Sequence, residues 1–203
     1  IGWTSLAAAQ TRPGVRIVLA GDSTVTDKAG WGVGFRGTML EGVDLINHSK
    51  GGRSSKSFRD EGVWQQCLDA RPNYILIQFG HNDQPGKGPE RETDPQTTYR
   101  ANMARYVDEA RGIGAKPVLV TSISRRKWGE SGRPLSDLVA YAEVLIEVAK
   151  EKQAPLIDLH QLSLEQYASL GPSGCERISP KKDDGTIDTT HLNEAGSALF
   201  GEI

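Results

Sequence analysis

The residue that most clearly suggests covalent chemistry is Ser23, which lies in the sequence Gly21-Asp22-Ser23-Thr24. A serine hydroxyl is a weak nucleophile near neutral pH, so it needs a base within hydrogen-bonding reach and a group that orients this base. A serine that follows a strand can equally serve as the N-cap of a helix, and this alternative stays open for Ser23 alone. A catalytic role for Ser23 therefore depends on what the rest of the chain supplies.

A candidate base is His191, which follows a carboxylate at a spacing of three in Asp188-Thr189-Thr190-His191. This spacing places both side chains on one side of a turn, so that Asp188 can accept from one ring nitrogen while the other faces a serine. The alternative is that Asp188 caps the terminal helix and His191 lies at the surface. No comparable carboxylate spacing accompanies the other histidines, which are His48, His81 and His160.

Cleavage of an ester also needs hydrogen-bond donors for the oxyanion of the tetrahedral intermediate. Gly52 lies in a Gly51-Gly52 turn, where a backbone N–H can be presented with no side chain in the way. The side-chain amide of Asn82 and the backbone N–H of Ser23 are two further candidates. Taken singly, Gly52 can be an ordinary turn glycine and Asn82 a turn-forming asparagine.

These candidates need a scaffold that brings them together, and the hydropathy pattern predicts one. Five short, almost continuously apolar runs alternate with amphipathic stretches, which is typical of strands buried on both faces of a parallel sheet. The runs cover 16–20, 44–48, 74–79, 117–121 and 155–158. Helices are predicted around 99–110 and over 57–70 and 136–152, with a polar surface loop over 84–96. This alternation predicts a doubly wound α/β sandwich.

In such a sheet, ligands bind outside the carboxyl ends of the strands. Ser23, Gly52 and Asn82 each follow a predicted strand, so we expect them at one edge of the sheet. The order serine, glycine, asparagine and Asp-x-x-His resembles the SGNH (GDSL-type) hydrolases, which are named after these four residues. The resemblance runs from about Arg16 to the end of the chain. The matching blocks are Gly21-Asp22-Ser23, the Gly52 turn, Gly80-His81-Asn82-Asp83 and Asp188-x-x-His191.

This resemblance implies a fold and a set of roles. The fold is a single-domain three-layer α/β/α sandwich with a five-stranded, mainly parallel, flavodoxin-like sheet. Ser23 is then the nucleophile, His191 the base and Asp188 the group that orients it. The oxyanion donors are Ser23, Gly52 and Asn82, and the chemistry needs no metal or cofactor.

A narrower resemblance is to the rhamnogalacturonan acetylesterase branch, which removes acetyl groups from pectic polysaccharide. It is carried by Gly21-Asp22-Ser23-Thr24-Val25, Gly51-Gly52-Arg53-Ser54-Ser55-x-Ser57-Phe58, Gln78-Phe79-Gly80-His81-Asn82-Asp83, Glu92-Thr93-Asp94-Pro95, Thr98-Tyr99 and Thr121-x-x-x-Arg125-Arg126. The resemblance implies a serine esterase that acts on an acetylated polysaccharide or oligosaccharide through an acetyl-enzyme intermediate.

Several polar residues near the predicted site have a possible role in binding such a substrate. Guanidinium groups suit the carboxylates of uronic acids, and an indole suits the face of a sugar. Arg125, Arg126 and Trp128, with Lys127 between them, follow the fourth strand and are candidates for this role. The alternative for this group is a solvated basic loop. Arg53 and Asp83 are more simply interpreted as residues that hold their own turns.

Composition limits other functions. The 203 residues include 24 Lys and Arg and 26 Asp and Glu, and a formal net charge of −2 gives no reason to expect nucleic acid or anionic lipid as a partner. No apolar run approaches the roughly 20 residues of a membrane helix. The two cysteines, Cys67 and Cys175, have no metal-ligand spacing, and free thiols are favoured over a single disulfide bridge.

The remaining expectations concern the protein as a whole. We expect one domain over 1–203, with 1–14 as an N-terminal extension and a last helix that continues beyond the final residue. We also expect a monomer that is secreted or periplasmic, because its substrate lies outside the cell. Three alternatives stay open: an acetylxylan or other acetylated-sugar esterase, a lipolytic enzyme or thioesterase of the same superfamily, and a catalytically dead carbohydrate-binding domain.

Overall fold

The computed structural model describes residues 14–203, so most of the expected N-terminal extension lies outside the described residues. Strands form at all five predicted apolar runs, and a short hairpin adds two more. In chain order they are β1 (Val15–Gly21), β2 (Val43–Asn47), β3 (Tyr74–Gln78), β4 (Lys116–Val120), β5 (Lys127–Trp128), β6 (Pro134–Leu135) and β7 (Leu156–Ile157).

Five of these strands form one sheet in the order β2-β1-β3-β4-β7, and all of its pairings are parallel. The order is that of a flavodoxin-like sheet, which reverses direction of winding between β1 and β3. Strands β5 and β6 pair with each other in an antiparallel hairpin. The predicted α/β/α fold class is confirmed.

Helices cover both faces of the sheet, because successive strand residues point to opposite sides and both sets are apolar. In chain order the helices are α1 (Gly32–Gly37), α2 (Ser57–Asp60), α3 (Val63–Asp69), α4 (Arg100–Gly112), α5 (Val139–Lys152), α6 (Leu159–Arg177) and α7 (Glu194–Gly201). Helices α2 to α5 pack with Val18, Ile75 and Ile77 on one face. Helices α1, α6 and α7 pack with Leu19 and Leu76 on the other.

Helix boundaries differ from the predictions at three places. The predicted helix over 57–70 is two helices, because Gly62 adopts a φ of +74° between α2 and α3. Helix α5 begins at Val139 instead of residue 136, since β6 ends at Leu135 and residues 136–138 connect the β5–β6 hairpin to the helix. The polar loop gives way at Pro95–Tyr99 to a π-helical turn that leads into α4. Helix α6, which contains a kink at Gly171, was not predicted.

Helices α1 and α7 approach each other with almost no side chain between them. A Cβ atom at Gly34 would lie 1.8 Å from the backbone oxygen of Ser197, and one at Gly201 would lie 2.2 Å from the backbone carbon of Gly34. The Gly34 N–H also donates to the Ser197 hydroxyl at 3.0 Å. Because α1 follows the Ser23 turn and α7 follows His191, this contact joins the two ends of the site.

Both cysteines are buried free thiols, as favoured by the sequence. They lie in different hydrophobic clusters, Cys67 on the α2–α5 face and Cys175 on the α1, α6 and α7 face. Within residues 14–203, no helix is both long enough and apolar enough to cross a membrane.

Candidate active site

The turn that carries Ser23 is held by a chain of buried hydrogen bonds. One carboxylate oxygen of Asp22 accepts from the backbone N–H and the hydroxyl of Thr24, at 2.9 and 2.7 Å. The Thr24 hydroxyl accepts from the Gln78 amide at 2.7 Å, and the Gln78 carbonyl accepts from the Trp31 indole at 2.9 Å. These contacts tie the turn to β3 and to the start of α1, while Ser23 itself remains half-buried.

The predicted base and its orienting carboxylate lie beside Ser23. His191 Nε2 is 2.9 Å from Ser23 Oγ, and His191 Nδ1 is 2.7 Å from Asp188 Oδ2. The carboxylate is thus placed to accept the Nδ1 proton, which leaves the Nε2 lone pair facing the serine hydroxyl. Asp188 does not cap the terminal helix, since Asn193 Oδ1 takes that position by accepting from the Gly196 N–H at 3.0 Å. The arrangement is that of a nucleophile, a base and a base-orienting acid.

Asp188 is strongly biased toward its ionised form. Burial raises the pKa of Asp188, but hydrogen bonds from the His191 ring and from the N–H groups of His191 and Thr190 outweigh this effect and lower the pKa to about 2. At neutral pH the carboxylate is therefore charged and can stabilise an imidazolium when His191 takes up a proton.

The Gly52 turn packs directly against the nucleophile. Lys50 N–H donates to Gly21 O at 3.0 Å, which extends the pairing of β2 with β1 beyond the end of the strand. The turn closes with Arg53 N–H donating to Lys50 O at 3.3 Å, and Gly52 has the φ of +78° that the third residue of a type II turn requires. A Cβ at Gly51 would be 3.6 Å from the Ser23 Cβ.

The three candidate oxyanion donors belong to turns that contact one another. Within residues 14–203, the N–H groups of Ser23 and Gly52 donate to no other protein group. The Asn82 amide donates one hydrogen to Arg53 O at 3.1 Å, so its second hydrogen remains available. The Arg53 carbonyl thereby fixes Asn82 against the Gly52 turn. These donors are suited to a negatively charged oxygen next to Ser23.

Asp83 stabilises the turn that contains Asn82, which is the role interpreted from the sequence. Its carboxyl group accepts from the Ser55 hydroxyl at 2.5 Å and from the Thr93 hydroxyl at 2.9 Å. Its backbone carbonyl accepts from the Tyr141 hydroxyl at 2.9 Å. Burial raises the pKa of Asp83 to about 7, in spite of the hydrogen bonds that favour its ionised form. Asp83 is fully buried, so it is a structural group and not one that contacts a substrate.

Comparison with known proteins places this geometry in a family. The model of the GDSL-like lipase/acylhydrolase family matches residues 19–199. The chain belongs to this family. Its members are carboxylic ester hydrolases, and the resemblance seen in the sequence is confirmed.

Two curated relatives from Bacillus subtilis (strain 168) are similar over most of their length. The hydrolase is 38 % identical to the rhamnogalacturonan acetylesterase RhgT, over 93 % of this chain and 87 % of the relative. It is 36 % identical to the probable rhamnogalacturonan acetylesterase YesY, over 92 % and 89 %. The crystal structure of YxiM from B. subtilis has the same fold, with a TM-score of 0.77 and 24 % identity over 93 % of this chain and 54 % of YxiM.

The basic residues that follow β4 do not form the row of substrate-binding side chains that the sequence suggested. Arg126 of the hydrolase is only 3 % exposed, and its guanidinium contacts protein groups, so it cannot reach a substrate. Arg125 is partly buried, and one of its nitrogens donates to Asp137 at 2.6 Å and to Gln84 at 2.8 Å. Lys127 contacts the other oxygen of Asp137 at 2.7 Å. Arg125 and Lys127 thus form an ion-pair cluster with Asp137, which differs from the solvated basic loop of the alternative interpretation.

Trp128 is half-buried in β5 and lines a cavity of about 140 Å³. Thr189, which lies between Asp188 and His191 in the hydrolase, lines the same cavity. None of Ser23, Asp188 and His191 lines this cavity. Arg53 instead bonds within its own turn, to Gly51 O at 2.8 Å and to Glu61 at 2.9 Å, which agrees with the structural role interpreted from the sequence.

Sequence reasoning assigned no role to Gln78 or Trp31, which support the nucleophile turn of the hydrolase. A signal was present, because Gln78 is a polar residue at the end of an otherwise apolar buried strand. A buried amide requires hydrogen-bond partners, so such a residue indicates a polar network at that point of the sheet.

Proposed function

We propose that this hydrolase is a carbohydrate O-acetylesterase that removes acetyl groups from rhamnogalacturonan in pectin. The observation that carries the proposal is the hydrogen-bonded order Ser23–His191–Asp188, in a chain that is 38 % identical to a rhamnogalacturonan acetylesterase. The proposal includes export from the cytoplasm to reach the polysaccharide and action as a monomer.

In the proposed mechanism, Ser23 Oγ attacks the acetyl carbonyl carbon while His191 Nε2 takes the hydroxyl proton. The carbonyl oxygen becomes an oxyanion, which the N–H groups of Ser23 and Gly52 and the Asn82 amide stabilise. The intermediate collapses to an acetyl-enzyme, and His191 gives the proton to the departing sugar oxygen. Water then attacks the acetyl-enzyme with its proton going to His191, and acetate leaves as Ser23 is protonated again. Apart from the attacking water, these steps use only side chains and backbone groups of the chain.

The surroundings of the site favour a short acyl group over a long one. The loop that follows Asn82, residues 84–94, is polar and largely exposed, so it offers no apolar groove to an alkyl chain. A mainly apolar cavity of about 200 Å³ does exist, between α1, α6, α7 and the sheet. None of Ser23, Asp188 and His191 lines it, so it is not placed to hold the acyl group of a bound ester. A lipolytic enzyme or thioesterase acting on long chains is therefore disfavoured.

The geometry also argues against a domain that only binds carbohydrate. A binding module has no need for a serine hydroxyl at 2.9 Å from a histidine that is oriented by an ionised carboxylate.

The proposal also assigns contacts with the substrate. In the proposal, the indole of Trp128 packs on a sugar ring, and the partly buried Arg125 lies near a uronate. Arg126 has no part in substrate binding.

The decisive experiment is acetate release from three polymers: acetylated rhamnogalacturonan, acetylated homogalacturonan and acetylated xylan. We expect release mainly from rhamnogalacturonan, and loss of this release in Ser23→Ala. Release mainly from xylan would overturn the proposed substrate, rhamnogalacturonan, and would leave the proposed mechanism unchanged. Release that persists in Ser23→Ala would overturn the mechanism. A fluorophosphonate probe should label Ser23 in the wild type, and a protein that only binds carbohydrate would not react.

A further inference from the structure

The segment that carries the acid and the base has no regular secondary structure of its own, since residues 188–193 belong to no helix or strand. Its conformation therefore depends on contacts with the rest of the fold. Three of its carbonyl groups accept hydrogen bonds from one residue, Arg126. Arg126 Nη2 donates to Asp188 O at 3.0 Å and also to His191 O, and the Arg126 backbone N–H donates to Thr189 O at 2.8 Å.

The guanidinium is itself held from the other side by groups whose orientation is fixed. Arg126 Nε donates to Ser179 Oγ at 2.6 Å, and this hydroxyl donates in turn to Cys175 O at 2.6 Å. The guanidinium carbon lies 5.8 Å from the centre of the Tyr167 ring, and the Tyr167 hydroxyl donates to Ser124 O at 3.0 Å. Arg126 is thus a bridge between the core under α6 and the catalytic segment.

The balance of charge makes this bridge unusual. Arg126 is 3 % exposed, yet in the described part of the chain no carboxylate lies within 4.0 Å of its guanidinium. A buried cation is costly unless hydrogen bonds compensate for the lost water. The carbonyls of Asp188 and His191 supply that compensation, so the guanidinium and the catalytic segment stabilise each other. One terminal nitrogen reaches both carbonyls, a planar geometry that an ammonium group does not reproduce.

We propose that Arg126 is a positioning residue, which holds Asp188 and His191 at their working distances from Ser23 by binding the backbone at both ends of their turn. It contacts backbone oxygens and not the substrate, so it acts through His191. The inference rests on the catalytic roles proposed above for Ser23, Asp188 and His191. It does not depend on which polysaccharide is cleaved.

The test compares Arg126→Met and Arg126→Lys with the wild type on p-nitrophenyl acetate, using fluorophosphonate titration to count active sites. We expect Arg126→Met to lower kcat per active site and the labelling rate of Ser23 by about 10- to 100-fold, with KM changed less than about threefold, because misplacement of a catalytic group by about 1 Å costs this much. Arg126→Lys should recover part of the loss.

A matched control is Arg59→Met. Arg59 is also a mostly buried arginine, but it pairs with Glu109 at 2.8 Å, away from the catalytic segment. The Arg59→Met substitution should lower the melting temperature and leave kcat per active site unchanged. The proposal is overturned if Arg126→Met behaves in the same way. If Arg126→Met does not fold, Arg126→Lys and Ser179→Ala decide, and unchanged kcat in both would overturn it. Hydrolysis that survives in Ser23→Ala would instead reject the proposed function.

Discussion

Asp188 holds His191 with both of its carboxylate oxygens. Oδ2 accepts from the ring Nδ1 at 2.7 Å, and Oδ1 accepts from the His191 backbone N–H at 3.0 Å. The first contact determines which ring nitrogen carries the proton, and the second determines where the main chain lies. One carboxylate therefore sets both the tautomer and the position of the base.

These two contacts can be separated by Asp188→Asn. The asparagine oxygen can still accept from the backbone, but its NH₂ group would face Nδ1 and favour the tautomer with a proton on Nε2. His191 could then not accept the Ser23 proton, and we expect kcat to fall by about 10³- to 10⁴-fold. The melting temperature should also fall at neutral pH, because the ionised carboxylate stabilises the fold. Activity within tenfold of the wild type would mean that Asp188 does not orient the base.

The same carboxylate makes a prediction about acid stability. Because the pKa of Asp188 is lowered to about 2, its contribution to the free energy of unfolding is present above about pH 4 and is lost as the pH falls toward 2. Denaturant titrations of the wild type and Asp188→Asn should therefore differ above pH 4 and converge as the pH falls toward 2. A difference that persists undiminished at pH 2 would contradict this.

Gly52 can be tested against a glycine with the same backbone strain and no role in the site. Gly52 and Gly62 have φ values of +78° and +74°, and a Cβ at either one would meet no atom within 4 Å. Alanine at either position should destabilise the fold by about 1–2 kcal/mol, the cost of a left-handed conformation. We expect Gly52→Ala also to lower kcat by 10-fold or more, since it shifts an oxyanion donor. Equal kcat values in Gly52→Ala and Gly62→Ala would show that the Gly52 N–H does not stabilise the oxyanion.

The raised pKa of Asp83 should make the free energy of unfolding depend on pH with the opposite sign to the effect of Asp188. Burial raises its pKa from 3.8 to about 7, so between these values the folded protein binds a proton that the unfolded chain has released. The free energy of unfolding should therefore fall as the pH rises from about 4 to about 7, and this component should be absent from Asp83→Asn. Melting temperatures of both proteins at intervals from pH 4.5 to pH 8 measure the difference. Parallel curves would contradict the raised pKa.

The cysteines should be unreactive while the protein is folded. Burial raises the pKa of Cys67 to about 12 and also raises that of Cys175, so neither thiol forms the reactive thiolate near neutral pH. A maleimide should label no cysteine in the native protein and both cysteines after unfolding without reductant, as counted by mass spectrometry. Fewer than two labels in the unfolded chain would reveal a disulfide bridge.

The strands could be predicted from their local apolar runs, and the candidate site residues from their order along the chain relative to those strands. An apolar run such as 74–79 must be buried on both sides, and Asn82 directly follows it, so its place at the sheet edge follows from topology. The same local reasoning cannot decide which way a side chain turns after the strand ends. Arg125 and Arg126 are identical in chemistry and adjacent in sequence, yet Arg126 alone is fully buried, because the acceptors around Ser179 and His191 come from distant segments.

Helices were harder to predict where their signals were mixed. Gly62 ends α2 and begins α3 through a positive φ that a helical periodicity does not reveal. Helix α6 contains Gly171 and Pro172, which normally indicate a turn, and its two halves are kept together by packing on the sheet. These features depend on tertiary contacts and not on local preference.

The close approach of Gly34 and Gly201 has a consequence for how such a chain can evolve. The helices that follow Ser23 and His191 approach each other mainly through their main chains at this point, joined by a hydrogen bond from the Gly34 N–H to the Ser197 hydroxyl. Substitutions elsewhere on the surfaces of α1 and α7 can therefore accumulate without altering the distance between Ser23 and His191. Gly34 and Gly201 are positions at which a single added methyl group would push apart the two helices that follow Ser23 and His191.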